Sequence, residues 1–323
     1  MSRPTVALLG AGHAVPERVR GNDDPLFARV RRDAADRGVP EHTLFVGNRE
    51  RRVLGPGESL VGLVAAASRG ALVRAGACPG EIDRLYGYLS VSEHLAPNSL
   101  FAVHRELGLG AECMVVPVNS EFTNWLTGAV LAWEAVLAGH AELCLVACGA
   151  AWTGSMDYTQ GHSVSIGDGA GAAVLGPGER MVLVDYAVDT SSAEYGVMSM
   201  AWRPATGADR ATYAIHPDAG VRAFLTTGMD GPPRLVDRLL RRHGLAGGDV
   251  SLVAHQASRK LMDHWAERIR PAAYLDTFEQ WGNLTLASAP ATLSAYWDCI
   301  RTPWLVIVGV GIGAHQTALL VRV

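Results

Sequence analysis

The sequence predicts an α/β protein built around a largely buried sheet. Short apolar runs alternate with helix-period segments along the whole chain. The order strand, helix, strand, motif-bearing helix, apolar strand occurs twice. Hydrophobic residues make up 49% of the 323 residues and charged residues 19%, which is enough apolar surface for a sizeable core.

The elements follow from local pattern. Residues 6–10 read as a first strand. Residues 59–75 read as an amphipathic helix, with Leu60, Leu63, Val64 and Ala67 at helical spacing. A strand at 84–90, a helix at 97–107 and a strand at 114–118 come next. They lead to a long apolar helix at 122–138 and an apolar strand at 143–148. Segments 167–175 and 181–187 flank the turn Gly176-Pro177-Gly178. In the second half, helices are expected at 235–243, 258–269 and 285–297, and strands at 251–254, 273–275 and 304–310. The repetition divides the chain into related halves, 1–175 and 176–323, packed as one body. Residues 213–227 are expected to form a connection packed over the site.

Composition excludes several classes of function. The balance of 28 basic and 32 acidic residues gives no field suited to nucleic acid. No apolar run reaches the ~18 residues of a membrane span. The opening residues read as a strand rather than a signal peptide, so the expected location is cytoplasmic. The cysteines are Cys78, Cys113, Cys144, Cys148 and Cys299, with no zinc-ligand spacing among them. Cys144 and Cys148 lie in an apolar run and read as core residues. No metal or other cofactor is expected.

Three segments read as one constellation. They are Asn119-Ser120-Glu121-Phe122-Thr123-Asn124 at a helix start, Ala254-His255-Gln256-Ala257-Ser258, and Trp281-Gly282-Asn283-Leu284-Thr285. With Asn48-Arg49-Glu50-Arg51-Arg52, Ile166-Gly167-Asp168-Gly169-Ala170-Gly171 and the closing Gly309-Val310-Gly311-Ile312-Gly313, they occur in the order and spacing of ketoacyl-ACP synthase III. The chain resembles that family, within the thiolase superfamily, over essentially its whole length. The resemblance implies a thiolase fold: two related βα halves in a five-layer αβαβα sandwich, assembled as a homodimer.

In that family a cysteine at a strand-to-helix turn takes an acyl group from a thioester. A His and an Asn then stabilise the enolate of the second substrate. Carried over, these are His255 and Asn283. The cysteine position falls on Phe122, which has no nucleophilic atom. Ser120 and Glu121 are the nearby side chains with a nucleophilic or basic atom, and strand alternation allows at most one of them to face the cavity. By resemblance the oxyanion-hole amides are those of Phe122 and Ile312. His315 is a further candidate polar group. Asp168 is expected to organise the Gly-rich turn.

The family's adenine-clamping residues fall near Glu41 and Phe45, which makes coenzyme A a poor match. Arg259 and Lys260, the only lysine in the chain, follow the His motif. They read either as contacts for a phosphopantetheine phosphate or acidic carrier protein, or as a solvated helix face.

Two classes of function follow. The first is a cysteine-independent acyltransferase or condensing-type enzyme of specialised metabolism. It would act on an acyl thioester, carried on an acyl carrier protein, by direct attack of an acceptor with His255 as base. The second is a non-catalytic partner, in a heterodimer with a cysteine-bearing paralogue. A cyclase or a serine-nucleophile acyltransferase is a further alternative.

Overall fold

The structure is a computed structural model that describes residues 5–94, 96–201 and 212–323. The first half opens with β1 (Val6–Ala14), β2 (Val19–Gly21), α1 (Ala28–Asp36) and β3 (Glu50–Arg52), with β2 and β3 paired antiparallel. It continues with α2 (Leu60–Ala75), β4 (Arg84–Ser90), α3 (Leu100–Leu107), β5 (Met114–Pro117), α4 (Asn124–Leu137), β6 (Cys144–Ala150) and β7 (Gly169–Pro177). The second half opens with β8 (Val182–Thr190), the antiparallel pair β9 (Met198–Ala201) and β10 (Thr212–Ile215), α5 (Pro217–Ala223) and α6 (Met229–Arg242). It closes with β11 (Val250–Ala254), α7 (Arg259–Ile269), β12 (Ala273–Leu275), α8 (Phe278–Trp281), α9 (Ser288–Ala295), β13 (Trp304–Gly311) and β14 (His315–Arg322).

Ten strands form one sheet in the order β12-β11-β13-β14-β8-β1-β7-β6-β4-β5. Read inward from either edge, the pairings are the same: parallel, parallel, antiparallel, antiparallel. β1 and β8 meet at the centre through a single register pair, Ala7 with Val182.

The layers follow from which face each helix covers. α2 packs on one face of the first half, where Val64, Ala67 and Ala71 meet Leu145, Ala170 and Ala172. Gly12 makes that approach possible, because a Cβ there would lie 2.1 Å from the Ala67 carbonyl oxygen. α4 and α9 lie between the halves. Trp125, Leu126 and Leu293 share a core with Val146 on one side and Leu305, Ile307 and Leu319 on the other. α6 and α7 cover the far face through Leu235, Leu239, Leu261 and Trp265. The predicted five-layer αβαβα arrangement is observed.

Helix ends carry the expected chemistry. The Ser59 hydroxyl accepts from the Gly62 N–H at 3.0 Å, and Gly76 ends α2 in the left-handed conformation. α6 contains Pro232 and Pro233, which cannot donate to the carbonyls four residues back. Those carbonyls, of Gly228 and Met229, accept instead from the Trp265 indole N–H at 3.0 Å each. Tyr213–Thr227, expected as a connection over the site, contains part of β10 and α5, and several of its side chains line the cavity described next.

Candidate active site

Two Gly-containing loops bring the motif residues together. At Gly282, φ is +75° and a Cβ would sit 2.3 Å from the Ser165 carbonyl oxygen. Only glycine meets both conditions without strain. Asn283 is thereby held on both sides: its N–H donates to the Ser165 carbonyl at 2.7 Å and its carbonyl accepts from the Gly167 N–H at 3.0 Å. Asp168 fixes the same turn from below, accepting from the N–H groups of Leu54 and Thr153 at 2.9 and 3.0 Å. The Asn48 side-chain amide reaches the Phe278 carbonyl at 2.8 Å. Arg51 is fully buried and donates to the Arg20 carbonyl, the Asn22 side chain and the Asn48 side chain. Burial pulls its pKa down to about 10, so it remains charged at neutral pH. These motif residues are the frame of the site.

His255 directly follows β11, and its N–H donates to the Val308 carbonyl of β13 at 2.9 Å. Burial pulls the imidazole down to about 4, opposed by a backbone hydrogen bond to Thr285. The ring is therefore neutral at physiological pH. Thr285 also donates its N–H to the Asn283 side-chain oxygen at 2.8 Å. One residue thus positions both candidate groups, and the bond orients the Asn283 amide so that its nitrogen remains available.

His255, Asn283, Thr285, Phe122 and Ile312 line a cavity of about 580 Å³. The Phe122 ring lies 5.6 Å from the His255 ring with only 10° between their planes, and 4.9 Å from Trp152 edge to face. No cysteine lines the cavity among the described residues. Cys144 and Cys148 are fully buried on β6, and burial pushes both thiols up, which suppresses the thiolate. Cys113 is also buried, with its pKa pushed up to about 11.

The remaining expected site residues separate into groups. Neither Ser120 nor Glu121, both named as candidate catalytic residues, lines the cavity; strand alternation allowed at most one of them to do so. Ser120 turns toward α4: its hydroxyl lies 2.9 Å from that of Thr127 and 3.3 Å from that of Thr123. It borders a smaller cavity with His315, whose Nε2 lies 3.3 Å from the Ser120 carbonyl oxygen. His315 thus sits behind the site, bordering the smaller cavity and not the main one. The Glu121 carboxyl has a buried, unpartnered Oε1. Burial pushes its pKa up to about 7, against hydrogen bonds from Ser90, Asn124 and Trp152. The Ile312 N–H donates to the Glu121 carbonyl at 2.6 Å, so this expected oxyanion donor is engaged.

At the rim, Arg259 pairs with Asp276 at 3.0 Å and stands over the Phe278 ring. It is a tether between α7 and the loop before α8. Lys260 is exposed, lines the cavity and forms no ion pair among the described residues. Leu44, Phe45, Tyr213, Ile215 and Phe224 complete much of the apolar wall. Sequence reasoning passed over Thr285 and Trp152. The only signal for Thr285 was its place two residues after Asn283, and Trp152 carried none.

Known proteins resemble this chain in sequence and in fold. Residues 240–323 match the family model described as the C-terminal part of 3-oxoacyl-[acyl-carrier-protein] synthase III. The chain is 29% identical over 336 residues to a beta-ketoacyl-[acyl-carrier-protein] synthase III of Gloeobacter violaceus, covering 99% of this chain and 98% of that one. A synthase III of Brucella canis is 29% identical over 304 residues, 88% of each chain. Among solved structures, the priming β-ketosynthase of the R1128 polyketide pathway superposes with a TM-score of 0.87 at 23% identity, over 99% of this chain and 97% of that one. OleA of Xanthomonas campestris, with cerulenin bound, gives a TM-score of 0.84 at 18% identity, over 99% and 97%. At these identities the structural matches show the fold. Together the findings show a chain similar to ketoacyl-ACP synthase III over almost its whole length, with the fold of those enzymes. No helix among the described residues is long and apolar enough to cross a membrane.

Proposed function

We propose that this protein is an acyltransferase of condensing-enzyme type that uses no cysteine nucleophile. The observation that carries the reading is Phe122 stacked on His255 at the floor of an apolar cavity, where the resemblance puts the nucleophile. An acyl thioester, delivered by an acyl carrier protein, enters past Lys260. The acceptor attacks its carbonyl directly. Neutral His255 takes the acceptor's proton and returns it to the leaving thiolate. Asn283 donates its side-chain amide to the carbonyl oxygen, joined by the Phe122 N–H. Arg259 is a structural tether in this scheme, and His315 and Ser120 support the turn from behind. The assembly is a homodimer, as the resemblance implies.

The test is turnover with a carrier-bound acyl donor. His255→Ala should lower it about 10²–10⁴-fold. Asn283→Ala should lower it by a smaller factor, because water partly replaces the amide. Both variants should remain folded. Unchanged turnover with lost stability would make both residues structural.

A second reading is favoured by the same contact. Phe122 covers one face of the His255 ring, as a filled pocket in a non-catalytic partner would. Activity that appears only when a cysteine-bearing subunit is added would select it.

A further inference from the structure

One polar group in the cavity wall has no part in the acyl-transfer scheme. Glu194 lies in a short 3-10 turn, Ser192–Glu194, that follows β8. Its Oε1 accepts from the Thr227 hydroxyl at 2.7 Å. Its Oε2 is buried and has no partner among the described residues. Glu194 faces the cavity alongside Met198, Ile215 and Phe224, all apolar. A buried carboxyl oxygen without a donor is costly, and a ligand that brings a donor relieves that cost.

Two observations set the charge of that donor. The cavity presents a run of aromatic rings: Phe122 meets Trp152 at 4.9 Å, Trp152 meets Tyr213 at 5.2 Å, and Tyr213 meets His162 at 5.8 Å. Aromatic faces attract cations, more so where water is excluded. No protein cation is paired with Glu194 among the described residues. Arg259 is held by Asp276, and the Lys260 ammonium stands 6.0 Å from the centre of the Phe224 ring. We infer that the molecule sharing this cavity with the thioester carries a cationic amine, and that the Glu194 carboxylate holds it.

This inference rests on the acyl-transfer reading of the cavity, and the two can fail separately. Hexylammonium, hexanol and hexanoate are titrated into the protein by calorimetry. Hexylammonium should bind about 10-fold or more tightly than hexanol, the usual worth of a charge-assisted hydrogen bond. Glu194→Gln keeps the shape and can keep the Thr227 bond, and it should bring the two ligands within about two-fold of each other. Equal binding of hexylammonium and hexanol by the unaltered protein, or a preference for hexanoate, overturns the assignment. That comparison needs no variant to fold. Ammonium preference without acyl transfer to any acceptor would sink the transfer reading and keep Glu194. Transfer without ammonium preference would do the reverse.

Discussion

The Phe122 ring lies nearly parallel to the His255 ring, 5.6 Å away between centroids. A side chain placed this way blocks covalent chemistry at its own position and shields the imidazole from one side. The unaltered protein should therefore show no acyl adduct by intact mass after incubation with an acyl thioester. Phe122→Cys should gain a stoichiometric adduct, because the thiol would stand at a helix start beside His255. An adduct on the unaltered protein that mapped to Ser120 would replace direct transfer with a covalent route.

Two buried titratable groups, His255 in the cavity wall and Glu121 behind it, give opposite pH signatures. His255 has its folded pKa lowered to about 4, below the unfolded value of 6.5. The unfolded chain binds the extra proton between those values, so stability falls as pH drops from about 6.5 toward 4. Glu121 has its folded pKa raised to about 7 from 4.5. Its contribution is complete below the unfolded pKa and is lost as pH rises toward 7. Chemical denaturation at a series of pH values should show that His255→Gln flattens the acid limb and that Glu121→Gln raises stability above pH 7. Parallel curves for the variants and the unaltered protein would refute both.

Lys260 and Arg259 are adjacent but should behave differently. Lys260→Ala should slow transfer from carrier-bound donors more than from short synthetic thioesters, and the difference should shrink with added salt. Arg259→Ala should instead lower the melting temperature, since it removes the partner of Asp276. Equal, salt-insensitive rates for Lys260→Ala on both donors would place it on a solvated face.

Asp168→Ala should destabilise the fold by about 1–3 kcal/mol for each buried N–H left without an acceptor. Those donors belong to Leu54 and Thr153. Urea unfolding measures the loss, and Asp168→Asn should recover part of it.

Much of this was legible in the sequence. β4 and β12 fall at their expected bounds, and Ser59 caps α2 where a polar residue precedes an apolar run. α4 starts at Asn124 rather than 122, because residues 119–123 form the turn that aims Phe122. The first turns of α6 were not expected, since Gly-Pro-Pro argues against a helix; the Trp265 indole, distant in sequence, makes them possible. β14 went unassigned because it follows directly on the Gly-rich run. His255 and Asn283 were found by motif. The facing of Ser120, Glu121 and His315, and the engagement of the Ile312 N–H, depend on turn geometry that alternation alone does not give.

The mirrored strand order has an electrostatic consequence. In each half a helix beyond the edge strand begins beside the cavity: Phe122 precedes α4, which follows β5, and Thr285 precedes by one short turn α9, which follows β12 after the one-turn α8. Two backbone dipoles therefore point their positive ends at one low-dielectric space. That space favours a developing negative charge without a cationic side chain at its floor. With a carboxyl elsewhere in the wall, a bound molecule bearing an oxyanion at one end and an ammonium at the other has one favoured direction, set by the scaffold before any contact is made.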